Sequence, residues 1–209
     1  MIVINLGLPK TGTTTLSRAL RRAGLRVADW RIRDPQTTDE TLRGRLVGRV
    51  MYEDYFASGD PMARMGEFDA VTEMNALRFD RNYWPQTDWG FLSAIEKNHP
   101  GVKFLLSRRD PLKTAQSMMN WRNLGGKRLP ENDIPGLPRG YGGTVDEIAR
   151  WVEGHYAFCA RAFENADNYY EYSLEDYDVK GKIGKFLGID LPRWGHSNRR
   201  QTASEELAD

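Results

Sequence analysis

The chain is almost without cysteine. Cys159 stands alone among 209 residues, which excludes an internal disulfide and any cysteine-rich metal site and favours a reducing compartment. Net charge is nearly absent too: 30 Lys and Arg oppose 29 Asp and Glu, leaving +1 with histidine neutral. No global field therefore draws the protein onto nucleic acid or a membrane surface, and any anion site has to be local. Histidine is scarce, and His99, His155 and His196 lack the mutual spacing of a zinc site. No apolar run approaches the length of a transmembrane span, and the opening MIVINL is too short for a secretory core and has no basic flank. A cytoplasmic protein with neither nucleic-acid nor membrane partners is the expectation. What remains is ordinary for a folded chain: 40% hydrophobic residues with 11% aromatics, enough for one domain over 1–209 with a real core.

Ile2 to Leu6 is a compact apolar run that ends in a glycine loop, the pattern of a buried parallel strand feeding a helix. Over 14–23, Leu16, Ala19, Leu20 and Ala23 share one helical face, Ser17, Arg18, Arg21 and Arg22 the other, and Gly24 is placed to end the helix. A strand is expected in LRVADWR from Leu25, a helix over 40–56, an inner strand in FDAVTEM at 68–74, a helix over 89–98 and a strand in VKFLLS from Val102. Asp110 and Pro111 then read as the cap and first position of a helix running to about 123. The stretch 123–143 is too dense in glycine and proline for a regular element and reads as a long mobile substrate loop. A helix over 146–166, a strand in NYYEYS from Asn168 and a short helix over 179–187 follow, with a flexible tail at 200–209. Strands alternating with helices imply an α/β fold of three layers, P-loop-like, with a central parallel β-sheet flanked by helices and ligands beyond the carboxyl ends of the strands.

Residues 7–15 read GLPKTGTTT. A glycine loop between a buried strand and a helix turns its N–H groups toward a common centre, and the helix dipole adds positive potential, so this loop should hold an anion. A nucleoside-triphosphate loop, GxxxxGK[ST], has its lysine after the second glycine and a hydroxyl for magnesium next to it. Here Gly7 and Gly12 keep the spacing, but Thr13 stands where that lysine belongs and Lys10 lies inside the loop. A short reach brings such an ammonium to an inner phosphate and the oxygen leaving with it. A tight turn with a solvated lysine is the competing reading.

The pattern resembles the 5′-phosphosulfate loop of sulfotransferases that use 3′-phosphoadenosine 5′-phosphosulfate (PAPS), whose Pro-Lys/Arg-x-Gly-Thr-Thr core corresponds to Pro9 to Thr14. The resemblance implies that Pro9, Lys10, Thr11, Gly12, Thr13, Thr14 and Thr15 contact the donor. It also implies a second motif for the 3′-phosphate: an arginine beyond a central strand, a proline two positions later and a serine eight positions later, matched by Arg109, Pro111 and Ser117. Arg108 and Arg109 pairing with surface acids, and Ser117 as an ordinary helix hydroxyl, are the competing readings. NYYEYSLEDYDVKGKIGKFLGI resembles the closing strand, acidic turn and helix of the family. The same resemblance assigns Arg199 and Arg200, with Arg193 before them, to a segment folding back over the donor, against a solvated basic tail.

Sulfuryl transfer with attacking and leaving oxygens in line asks the protein mainly for positioning and charge stabilisation. The sulfuryl group carries less charge than a terminal phosphoryl, so loop amides and Lys10 suffice, and no metal is expected. No strand ends in a magnesium-binding carboxylate pattern: the inner one closes on Thr72-Glu73-Met74, the strongest on Ser107-Arg108. In the family a histidine or an acid after the strand preceding the second motif serves as base, and Glu73 occupies that place. At a strand end in a partly dry cleft its pKa rises toward the working range, while a glutamate capping a helix or pairing with an arginine is the alternative. Trp84, Trp89, Trp121 and Tyr141 flank the expected cleft and suit an apolar or aromatic acceptor, unless they are core. The reading is PAPS-dependent sulfuryl transfer to a hydroxyl or amine of a small-molecule or glycan acceptor. The alternatives are an atypical P-loop kinase and a nucleotide-binding module without catalysis.

Overall fold

A computed structural model describes residues 2–78 and 81–195. The chain runs through strand β1 (Val3–Asn5), helix α1 (Thr13–Arg22), β2 (Val27–Ala28), α2 (Val47–Ser58), β3 (Ala70–Val71), the hairpin strands β4 (Ala76–Arg78) and β5 (Arg81–Tyr83), and α3 (Trp89–Asn98). It continues with β6 (Lys103–Arg108), α4 (Pro111–Met119), α5 (Val145–Ala162), β7 (Tyr169–Ser173) and α6 (Val179–Leu187). Five strands form one parallel sheet in the order β2-β3-β1-β6-β7, while β4 and β5 pair antiparallel apart from it. The α/β architecture with a parallel central sheet between helices is therefore as the sequence implied.

The alternation of side chains along the strands separates two helical layers. Val3, Val27, Ala70 and Leu105 pack with Leu16 and Leu20 of α1 and Val179, Ile183 and Leu187 of α6. Their neighbours Ile4, Ala28, Val71, Phe104 and Leu106 point the other way, onto Val47 and Met51 of α2, Phe91 and Ile95 of α3, Met118 of α4 and Val152 of α5. This period-two switch is what a sheet covered on both faces requires, and each fully buried side chain of this size contributes about 1.5–3 kcal/mol. Local signals finish the helices: Asp88 accepts from the Phe91 N–H, Asp110 from Lys113, and Thr144 with Glu147 forms a capping box at α5. Among the described residues no helix is long and apolar enough to cross a membrane.

Two segments differ from expectation. The helix expected over 40–56 begins only at Val47, because the Ile32 N–H donates to the Arg45 carbonyl, the Gly44 N–H donates to the Ile32 carbonyl, and Arg31 bridges Leu46. The stretch 123–143, expected to be irregular, contains a π turn at Leu124–Arg128 and sends Leu124, Leu129, Ile134 and Leu137 into the core. Gly125 serves close packing there: a Cβ on it would meet Met119 Sδ at 2.4 Å. Composition announced breaks in regularity and missed the four apolar anchors between them.

Candidate active site

β1 ends against the loop 7–12, and that loop is locked from below. Thr11, wholly buried, donates its hydroxyl to the Leu8 carbonyl at 2.7 Å and lies 2.8 Å from Ser107 Oγ at the end of β6. Gly7 leaves room for this arrangement, since a Cβ there would come within 2.1 Å of Ser107 Oγ. His155 of α5 holds the Leu6 carbonyl through Nε2 at 2.8 Å, and burial pushes its pKa down to about 4, so the ring is neutral and donates there. With its flanks fixed, the loop carries Lys10 in the left-handed region at φ 71°, a strained conformation for a side chain of this size. The Lys10 ammonium lies 4.7 Å from the centroid of the Trp121 ring.

Gly12 is the N-cap of α1, at φ 94° and with no side chain to accept from the first turn. No acidic residue stands in that turn, so Thr13 and Thr14 open toward the cavity on N–H groups that have no intrahelical partner. The Thr13 hydroxyl donates to Glu73 Oε2 at 3.1 Å. The position that holds a lysine in nucleoside-triphosphate loops thus holds a neutral donor to a carboxylate.

Glu73 follows β3, part-buried in the cavity wall. Burial, reinforced by the charge of Asp29, pushes its pKa up to about 7, against the pull of Thr13, Asn75 and Lys10. Asp29 remains ionised: burial alone would raise it, but Ser17 at 2.6 Å, Arg21 at 2.8 Å and Arg33 at 3.0 Å hold it below the usual carboxylate range. Nothing in the sequence marked Asp29, because Ser17 and Arg21 reach it from α1 and only Arg33 is a near neighbour in the chain.

The two arginines after β6 part company. Arg108 pairs with Glu171 of β7 and lies over the Tyr156 ring, so the surface-pair reading describes it. Arg109 has no carboxylate partner among the described residues; its backbone N–H meets Tyr156 Oη at 3.2 Å and its guanidinium reaches toward the Lys10 carbonyl at 3.5 Å. Pro9, Lys10, Gly12, Thr13, Thr14, Thr15, Glu73, Arg109 and Ser117 line one cavity of ≈ 420 Å³. A neighbouring hollow continues past Lys10, Arg109 and Ser117 to Lys113 and Asn120. Thr11 does not line either cavity; it braces the loop from beneath. Arg199 and Arg200 lie outside the described residues, and Arg193 is exposed.

Of the aromatic residues expected at the cleft, Trp121 lines it, Tyr141 lines a separate hollow by α5, Trp84 is core against Trp151, and Trp89 packs edge-on to Phe163. Trp30, Leu174, Glu175 and Trp194 complete the wall, and Trp30 and Trp194 carried no motif. Leu174 and Glu175 belong to the acidic turn after β7, which the family resemblance did point to.

A family model described as a sulfotransferase domain matches residues 2–128, a stretch that contains the loop, Glu73, Arg109 and Ser117. No curated protein matches the chain significantly.

Proposed function

The chain belongs to the sulfotransferase family, and from that premise we propose that it moves a sulfuryl group from PAPS to a hydroxyl or amine of a small-molecule or glycan acceptor, with Glu73 as base. The observation that carries the reading is the convergence of Lys10, Glu73, Arg109 and Ser117 on one cavity beside an uncapped helix N-terminus. The residues fit the donor: α1 offers amide donors and a positive dipole end for the 5′ anion, and Arg109, without a carboxylate of its own among the described residues, suits a second phosphate with Ser117.

When bound, the donor supplies an activated sulfuryl group. Lys10, held in a fixed loop, places positive charge where the departing phosphate oxygen gains negative charge. Glu73 takes the proton of the acceptor hydroxyl or amine as the new bond to sulfur forms, and the phosphate–sulfur bond breaks on the opposite side. A carboxyl with a pKa of about 7 is a stronger base than an ordinary glutamate and is still ionised in good part at neutral pH.

The test is transfer of labelled sulfate from PAPS across an acceptor panel, run over pH 5–9. Because the base must be ionised, the rate rises as pH increases through about 7. Glu73→Gln lowers turnover by about 100- to 10,000-fold and abolishes that rise, with affinity for 3′-phosphoadenosine 5′-phosphate (PAP) retained. Full turnover by Glu73→Gln removes the base assignment.

A further inference from the structure

The chain turns directly from Glu73 into the β4–β5 hairpin, where an arginine of the hairpin meets another from the π turn. Arg78, at the end of β4, stacks its guanidinium 4.7 Å from the centroid of the Trp30 ring, and Trp30 is part of the cavity wall. Arg128, from the π turn, donates to the carbonyl of Leu77, the residue before Arg78. Arg78 is exposed, Arg128 half-buried, and neither has a carboxylate partner among the described residues. Burial and the charge of Arg78 together hold Arg128 below the usual arginine range, the mark of two like charges kept close. The hairpin is pinned in this position, since Asn82 donates to the Asp133 carbonyl and also accepts from Trp84 Nε1 at 2.6 Å.

Many of the chain's arginines are matched with acids: Arg21 and Arg33 with Asp29, Arg45 and Arg49 with Glu53, Arg64 with Asp54, Arg108 with Glu171. Like-charged guanidiniums side by side repel unless an anion lies between them, and an aromatic platform beneath one fixes its plane for a planar or tetrahedral oxyanion. Neither arginine lines the cavity itself; Arg78 meets its wall through Trp30. Lys10 and Arg109 belong to the loop and the β6 end, whereas Arg78 is five residues from Glu73, at most about 17 Å of extended chain.

We infer that the acceptor is anionic, and that Arg78, with Arg128 beside it and Trp30 beneath it, binds a carboxylate or sulfate group on the molecule whose hydroxyl or amine is presented to Glu73. This rests on the transfer reading above and narrows its acceptor from any hydroxyl compound to one bearing an anionic oxygen group within about one or two sugar rings, or one aromatic ring, of the reacting atom. Arg78 and Arg128 are specificity residues here; the proton and the sulfuryl group do not pass through them.

The experiment titrates the PAP-saturated protein with matched ligands: methyl glucuronide against methyl glucoside, galactose 6-sulfate against galactose, and 4-hydroxybenzoate against 4-hydroxybenzyl alcohol. The expected result is that the anionic member of at least one pair binds about 10- to 100-fold more tightly than its neutral counterpart. That ratio falls toward one in Arg78→Gln and in Arg128→Gln, while both variants bind PAP as the wild type does. Which pair discriminates tells a carboxylate acceptor from a sulfated one. Equal affinity for all matched members, or a preference that survives both substitutions, overturns the inference with the transfer reading intact. A wild-type protein that does not bind PAP overturns the transfer reading and takes the inference with it.

Discussion

Helices α1 and α4 start from the carboxyl ends of adjacent strands, β1 and β6, and they are finished in opposite ways. α1 begins at Gly12, with no capping side chain and no acid in its first turn. α4 begins at Asp110, whose carboxylate accepts from the Lys113 N–H at 2.8 Å. The first helix end is left open for an external anion, whereas the second is already occupied by an anion of its own. In the proposed reading, recognition beside α4 passes from backbone to side chains, Arg109 and Ser117, and this division suits a ligand with two different anionic groups. It also explains why one motif is glycine-rich and the other is not.

The largest effect comes from making the open end resemble the closed one. Gly12→Asp introduces a residue type that caps helices; its backbone is strained at φ 94°, and its Cβ displaces the Leu174 methyls at 2.6 and 2.7 Å, the far end of a flexible side chain. The fold is expected to survive, with PAP affinity in calorimetry reduced by at least ~100-fold through like-charge repulsion at the anion position. At the other end Arg109→Ala is expected to cost about 10- to 100-fold in the same titration, the worth of one charged hydrogen-bonding group. Its neighbour sharpens the contrast: Arg108→Ala, which removes a pair with Glu171, changes PAP affinity by less than about threefold, since partly exposed pairs contribute about 1 kcal/mol or less and neither partner lines the cavity or the hollow beside it.

Thr13 lies between the two ends in magnitude of effect. Thr13→Lys restores the lysine of a nucleoside-triphosphate loop and puts an ammonium next to Glu73. An opposite charge favours the carboxylate, so the midpoint of the pH–rate profile moves down from about 7 by ~1 unit or more. An unmoved midpoint shows that Glu73 is not the titrating group.

What the sequence revealed follows the same division between local and distant causes. The loop, the α1 face of Leu16 and Leu20, the Asp110–Pro111 start of α4 and the whole of α6 depend on neighbouring residues, and each was legible from spacing. The β4–β5 hairpin was not, because three-residue strands bearing Arg78, Arg81 and Asn82 show no apolar alternation. The start of α2 was displaced by the bridge from Arg31 to Leu46, a tertiary contact without local signature. Glu73 was found through the family resemblance, which places a base after this strand, but its raised pKa depends on Asp29 and on burial contributed by several segments. The different fates of Arg108 and Arg109 hinge on where Glu171 lies in β7, which no stretch of β6 discloses.

The central claim is that the lysine inside the loop has exchanged a triphosphate for a phosphosulfate. Calorimetric titration with PAP, beside ATP with magnesium, on the wild type and Lys10→Ala addresses it most directly. The expected result is tight binding of PAP, weak binding of magnesium-ATP, and a loss of about 10- to 100-fold for PAP in Lys10→Ala. Tight binding of magnesium-ATP with none of PAP would contradict it and make the protein a kinase of unusual loop.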